Sequence, residues 1–267
     1  MVYNSLWNEL SDESRFIEFL VKQMYFGTLN DVLSETEEIL DSGCKNTDSV
    51  QLALQAPRII RGFIDYKIEF PLQKEAEPLL RDAIQLGLHI YKRDVVAIKE
   101  IKELKRKIIH SKNKELLERK LEQPECKVTL WATRPLASER TAKNLSSELN
   151  GKNVLFIALA HGGIAAGMDT YLRYCDFFNN KGSEFYVARC SIRKWHDDIP
   201  RVSANEIKYL RKLSLNRYPV IFDADVSTGH TLMRSCEFFR EKVFTSKNLI
   251  TLTNYDQISD NNAIEVH

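Results

Sequence analysis

Two short segments of this chain carry residue types suited to handling a phosphate. In the first, the apolar run Val220-Ile221-Phe222 leads into Asp223, Ala224, Asp225 and Val226, and then into Ser227-Thr228-Gly229-His230-Thr231. The apolar run reads as a strand, and the hydroxyl-and-glycine turn opens a helix. Backbone N–H groups from Thr228 to Thr231 would lack intrahelical acceptors there, the helix dipole favours an anion, and Gly229 permits close main-chain approach. The carboxylates just upstream suit a magnesium ion or the hydroxyls of a ribose. In the second segment, Val154 to Ala160 reads as a buried parallel strand. His161-Gly162-Gly163 is its turn, and a small-residue helix follows through Leu172.

The first segment, with its hydrophobic strand, acids and T-G-x-T turn at Thr228-Gly229-His230-Thr231, resembles the phosphoribosyl diphosphate (PRPP) loop of type I phosphoribosyltransferases. In the same family a strand followed by a Gly-Gly turn forms the pyrophosphate loop upstream, the place taken here by His161, Gly162 and Gly163. The resemblance covers roughly Lys127 to Tyr255. It implies a magnesium-dependent glycosyltransferase that moves ribosyl phosphate from PRPP to a nitrogenous acceptor and releases pyrophosphate. Ser227, Thr228, Gly229, His230 and Thr231 would hold the 5′-phosphate, Asp223 and Asp225 would face the ribose and its metal, and the glycine pair would bring amides to the pyrophosphate. Two departures stand out. Ala224 occupies the second acidic position, with Asp225 one place late. Ser227 stands where relatives acting on 6-oxopurines carry an Asp that serves as base, so the acceptor class stays unassigned.

As C1–O cleavage proceeds, negative charge grows on the departing pyrophosphate, and the site needs cations and a cover against water. The segment Arg189 to Asp198 lies where this family carries its mobile catalytic loop, and within it Arg193, Lys194 and His196 are the expected donors. The competing reading is a solvated polar loop tip, with Trp195 an anchor for the loop or a base-stacking platform.

An apolar strand followed by D-x-D also opens haloacid-dehalogenase-type phosphatases, in which the first Asp is a nucleophile. About forty residues follow Asp225, fewer than the downstream α/β domain those enzymes need. A bare Asp-rich turn without a ligand is the plainer alternative. The 267 residues, 43% hydrophobic, suffice for a proper core, and the net charge of +1 argues against binding nucleic acid or anionic membrane by bulk electrostatics. No apolar run approaches the roughly 20 residues of a membrane span. With no signal-peptide pattern in the first thirty residues either, a cytoplasmic protein is expected. The five cysteines (Cys44, Cys126, Cys175, Cys190, Cys236) are odd in number and never fall in C-x-x-C spacing, which argues against a disulfide framework and a zinc site; most are expected as buried thiols.

The elements that position these residues fall into two regions, 1–125 and 126–267. The first is expected to be all-helical. Its helices run from Ser11 to about Met24, from Leu33 to Leu40 with Thr28 and Asn30 ahead and Gly43 behind, from Asp48 to Tyr66 with a bend or break at Pro57, from a start bracketed by Pro71 and Pro78, including Ala76, to Ile90, and from Val95 to Leu121. The second should alternate: strand Val128–Ala132, helix Ala137–Leu149, strand Val154–Leu159, helix Gly167–Phe178, strand Glu184–Cys190, helix Ser203–Leu213, strand from Val220, helix Leu232–Val243, and a final strand Leu249–Thr253. That pattern predicts a parallel, doubly wound α/β sheet with ligands at its carboxyl edge.

In the resembled family, variable termini build the hood that selects the acceptor. The helical region is accordingly expected to form that hood, a homo-oligomer surface, or a dock for a partner protein. Its fifth helix carries Lys99, Lys102, Lys105, Arg106, Lys107, Lys112, Lys114, Arg119 and Lys120, expected to pair at i,i+4 as in Glu115 with Arg119. A nucleic-acid contact is not favoured, because aromatic residues do not interleave with the cations. The alternative to an enzyme is a nucleotide-binding regulatory or effector module, for instance in a stress or defence system, that keeps the pocket, has altered turnover, and acts through its helices.

Overall fold

The computed structural model describes residues 3, 6, 25–43, 48–111, 113–123, 133–191, 196–226, 229–245, 248–256 and 264–266. The chain divides into two compact units, Asn4–Lys127 and Val128–His267, with Tyr3 joining the second. The expected helix Ser11–Met24 and strand Val128–Ala132 lie outside the described residues.

In the first unit, Tyr25–Thr28 forms strand β1, which pairs antiparallel with β2, Lys120–Gln123. Helices α1 (Leu29–Asp41), α2 (Ser49–Glu69), α3 (Ala76–Tyr91) and α4 (Val96–His110) lie between them in the chain. The region is therefore not all-helical: its two ends close as a short ribbon, a pairing between residues almost a hundred positions apart. Thr28 starts α1 through a reciprocal capping box, its hydroxyl accepting from the Asp31 amide while Asp31 accepts from the Thr28 amide. The Thr28 amide and the Thr28 hydroxyl, which itself donates to the carboxylate at 2.8 Å, hold the Asp31 carboxyl below its ordinary range.

Helix α2 runs unbroken through Pro57 and is buried over most of its length, with Leu52, Ile59, Ile60, Phe63 and Ile64 in the core. Neighbouring packing on all sides outweighs the hydrogen bond lost at the proline. The fifth helix ends at His110 instead of continuing to Leu121. After it come a 3₁₀ turn at Lys114–Leu116 and strand β2. Because that turn breaks the α period, Glu115 accepts from the Tyr66 hydroxyl at 2.5 Å, and Arg119 pairs with Glu69 instead of Glu115.

The second unit is α/β. Strands β3 (Val154–Ala160), β4 (Glu184–Arg189), β5 (Tyr218–Val226), β6 (Ile250–Asp256) and β7 (Ile264–Val266) form one sheet in the order β4-β3-β5-β6-β7. The first four are mutually parallel, and β7 is an antiparallel addition beyond the strand expected to be last. Every residue of β3 is buried, as its unbroken apolar run requires of a central parallel strand. Helices α5 (Pro135–Leu149), α6 (Gly163–Phe177), α7 (Ala204–Leu213) and α8 (His230–Lys242) connect and cover the strands.

Helix α6 lies close on β3: a Cβ at Gly167 would stand 2.9 Å from the Ala158 Cβ and 3.2 Å from the Phe222 ring. Phe156 packs with Phe185, Phe222 and Tyr171 beneath that helix. Helix α7 begins at a second capping box, Ser203 with Glu206, and the buried Glu206 also accepts from the Tyr186 hydroxyl. Tyr3 sits against α6, its amide donating to Asp176 at 2.8 Å and its hydroxyl to Asp169 at 3.1 Å.

Among the described residues no helix is long and apolar enough to cross a membrane.

Candidate functional site

Following the chain through the sheet locates the site. From β3 it crosses to β4 on one side, and then returns to lay β5 on the other. The order thus reverses direction at β3, and in open α/β sheets the crevice at the carboxyl ends of the strands flanking such a reversal is where ligands bind. The two strand ends there are Ala160, leading into the glycine turn, and the acid-bearing end of β5.

The two segments meet at that crevice. A Cβ built on Gly163 would lie 3.5 Å from the Phe222 carbonyl oxygen and 3.7 Å from the Ala224 amide nitrogen, so the head of α6 rests on the backbone of β5 beside Asp223. Gly162 is the N-cap of α6, with φ −59° and ψ −37°. The helix starts at once, earlier than the expected Gly167; the Ile164 amide in its first turn donates to the His161 carbonyl at 3.3 Å, and the other leading amides have no acceptor within the helix. Neither the N-cap conformation at Gly162 nor the packing at Gly163 demands glycine, since the added Cβ at Gly163 would make only ordinary contacts. His161 is half-buried and follows a cis peptide bond from Ala160.

Strand β5 continues to Val226, so Asp223 and Asp225 stand within the strand and not in the turn after it, registered against Thr253 and Tyr255 of β6. Asp223 is half-buried, and its Oδ1 accepts from the Ala224 amide at 2.9 Å. Period-2 alternation places it on the sheet face opposite Phe222. Ala224 is fully buried, and its carbonyl accepts from the Thr253 hydroxyl at 3.4 Å. Gly229 caps α8 with φ +72°, a conformation that favours glycine over any side chain, and His230 and Thr231 form the helix's first turn with His230 exposed. Ser227 and Thr228 lie outside the described residues, as do Arg193, Lys194 and Trp195. His196 is exposed with φ +52°.

The segment after β4 contains a cluster that the sequence reading did not single out. Asp197 has 0% exposure, and its carboxylate accepts from Arg189 Nε at 3.2 Å, Arg201 Nε at 2.8 Å and the Ser191 amide at 3.2 Å. Backbone bonds close the same segment: the Asp197 amide donates to the Ser191 carbonyl, and the Arg201 amide donates to the Arg189 carbonyl. The only hint in the sequence was an acid placed between arginines eight residues before it and four after it.

Cys190, next to Arg189, is buried. Burial pushes its thiol up to about 11, the charges of Asp197 and Asp223 add to the effect, and Arg201 opposes it. Cys236 is buried too, and Cys175 is half-buried. Cys44 and Cys126 lie outside the described residues.

Among the described residues no group of three or more His, Cys, Asp or Glu side chains converges to hold a metal. Magnesium characteristically takes one or two carboxylates and draws its other oxygens from phosphates and water. Asp223 at the strand end fits that modest protein share.

The chain matches no family model, no curated protein and no solved structure.

Proposed function

We propose that the α/β unit is a phosphoribosyltransferase-like module that binds PRPP or a related ribosyl phosphate with magnesium and transfers the ribosyl phosphate to a nitrogenous acceptor. The observation that carries this reading is the contact between the two segments: Gly163, at the head of α6, lies against the β5 backbone at Phe222 and Ala224, beside Asp223. In this reading the 5′-phosphate sits at the turn ending in Gly229-His230-Thr231, and the pyrophosphate lies toward His161-Gly162-Gly163. Asp223, with Asp225, faces the ribose hydroxyls and takes the metal, which supplies charge neutralisation for the leaving group. Gly162 takes helical dihedrals open to any residue and an added Cβ at Gly163 would make only ordinary contacts, so in this reading the pair is glycine to keep the amides accessible to phosphate oxygens.

One observation favours a second reading. At the position where the resembled family carries its second acid, this chain has Ala224, whose side chain is buried and cannot reach a ribose. A module that keeps the pocket, has lost turnover, and acts through its helical unit is consistent with that change.

Pyrophosphate release from PRPP in the presence of a panel of nitrogenous bases, with Asp223→Asn as control, separates the two. Release that disappears in the variant supports the enzyme. Silence across the panel together with a PRPP-dependent rise in melting temperature supports the binder. Absence of both release and thermal protection rejects the ribosyl phosphate reading altogether.

A further inference from the structure

We infer that Arg201, held by the buried Asp197 together with Arg189, is a binding residue for the diphosphate group of the ligand. This rests on the ribosyl diphosphate reading and adds a cationic wall to it that is independent of Arg193 and Lys194.

Position comes first. The register pairs Arg189 with Ala160, the residue immediately before the His161-Gly162-Gly163 turn, and neighbouring strands lie about 4.8 Å apart. The cluster therefore begins one strand away from the amides that open α6, on the same carboxyl edge. Construction comes second. A fully buried carboxylate needs a cationic partner to offset its desolvation, and one arginine meets that need. Here two guanidiniums share Asp197, and the three groups together carry one net positive charge. Arg189 is mostly enclosed, with 11% of its side chain exposed, whereas Arg201 is 51% exposed. Arg189 and the Ser191 amide already secure the segment to Asp197, so a second, solvent-facing arginine adds little to holding it. Asp197 instead fixes Arg201 at its Nε, which orients a planar guanidinium suited to phosphate oxygens before any ligand arrives.

The test is calorimetric titration of the full chain with three probes: inorganic pyrophosphate, ribose 5-phosphate and PRPP. Arg201→Ala is expected to weaken pyrophosphate and PRPP about tenfold, the scale of one lost charge-assisted contact. Ribose 5-phosphate, seated at the other turn, should change by less than about twofold. Thr231→Ala should do the reverse, weakening ribose 5-phosphate and PRPP and sparing pyrophosphate. Arg201→Lys, which keeps the charge and loses the fork, is expected to fall between wild type and Arg201→Ala, and it decides the matter should the alanine variant melt early. Pyrophosphate affinity unchanged in folded Arg201 variants, or no pyrophosphate binding by the wild type, overturns the inference. Arg201-dependent pyrophosphate binding with no binding of either ribosyl phosphate leaves the anion subsite standing and rejects the sugar-phosphate reading alone.

Discussion

Lys102, Lys105 and Lys107 of α4 reach Asp41, Glu37 and Asp82 on neighbouring helices at 3.1, 2.8 and 2.8 Å, on surfaces open to solvent. In the α/β unit, Asp197 is buried and shared by two arginines at a strand end. The helical unit holds the longer run of cations in sequence, yet there the charges tie helices to one another by direct pairs that solvent partly reaches. In the α/β unit a handful of charges stands at the one edge where parallel strands leave a crevice. Density of charge along a sequence thus says little about chemistry, whereas burial and position relative to the sheet say a good deal. The expected i,i+4 lacing of the basic helix is represented by Lys107 with Glu103, and the shorter contacts run between helices.

This contrast can be broken by substitution. Asp197→Ala should have the largest effect, about 3–5 kcal/mol of stability, because it leaves two guanidiniums without their buried partner. Urea denaturation would measure it, and a loss below about 1 kcal/mol would mean that the cluster is not buried in solution. Gly167→Val should cost about 1–3 kcal/mol by forcing α6 away from Ala158 and the Phe222 ring, read as a lowered Tm.

Cys190 sharpens the comparison through pH. Its folded pKa is raised from 9 to about 11, so its neutral form is favoured on folding. The associated stability is intact below pH 9 and is lost progressively as the pH climbs from 9 towards about 11. Alkylation at neutral pH should accordingly spare Cys190 until the protein is unfolded, as peptide mapping by mass spectrometry would reveal. In the helical unit, Lys105→Ala should cost only about 0.5 kcal/mol, shrinking further in high salt, as for other partly solvated pairs. The smallest effect on stability belongs to Gly163→Ala, expected within about 0.5 kcal/mol of wild type because its Cβ meets only ordinary contacts. PRPP binding in that variant should nevertheless weaken, which would separate the glycine's role toward ligand from its role in the fold.

Much of the α/β unit was legible because its signals are local. Ser203 and Glu206 sit three apart and close a capping box on each other, Val154 to Ala160 is too uniformly apolar to face water, and the alternation of strands and helices fixes which turns share an edge. What escaped the sequence depends on distant partners. Tyr25–Thr28 is a strand only because Lys120–Gln123 returns to it, and Ile264–Val266 only because β6 offers an edge. Pro57 signals a break locally but is overridden by the packing around α2. Spacing and order singled out the glycine turn and Asp223 as candidates, while the extension of β5 through both acids follows from pairing with β6. Asp197 escaped because its importance lies in the chain folding back so that Arg189 and Arg201 converge on it, and no short motif records that.

The absence of a side chain at Gly167 brings α6 down on β3 with almost nothing between them. A helix seated so firmly has no room to recoil, and its leading amides are in place before any guest appears. If the proposed ribosyl phosphate reading holds, ordering on association would fall mainly on the guest, and its binding here would be quick and little changed in heat capacity by rearrangement of the host.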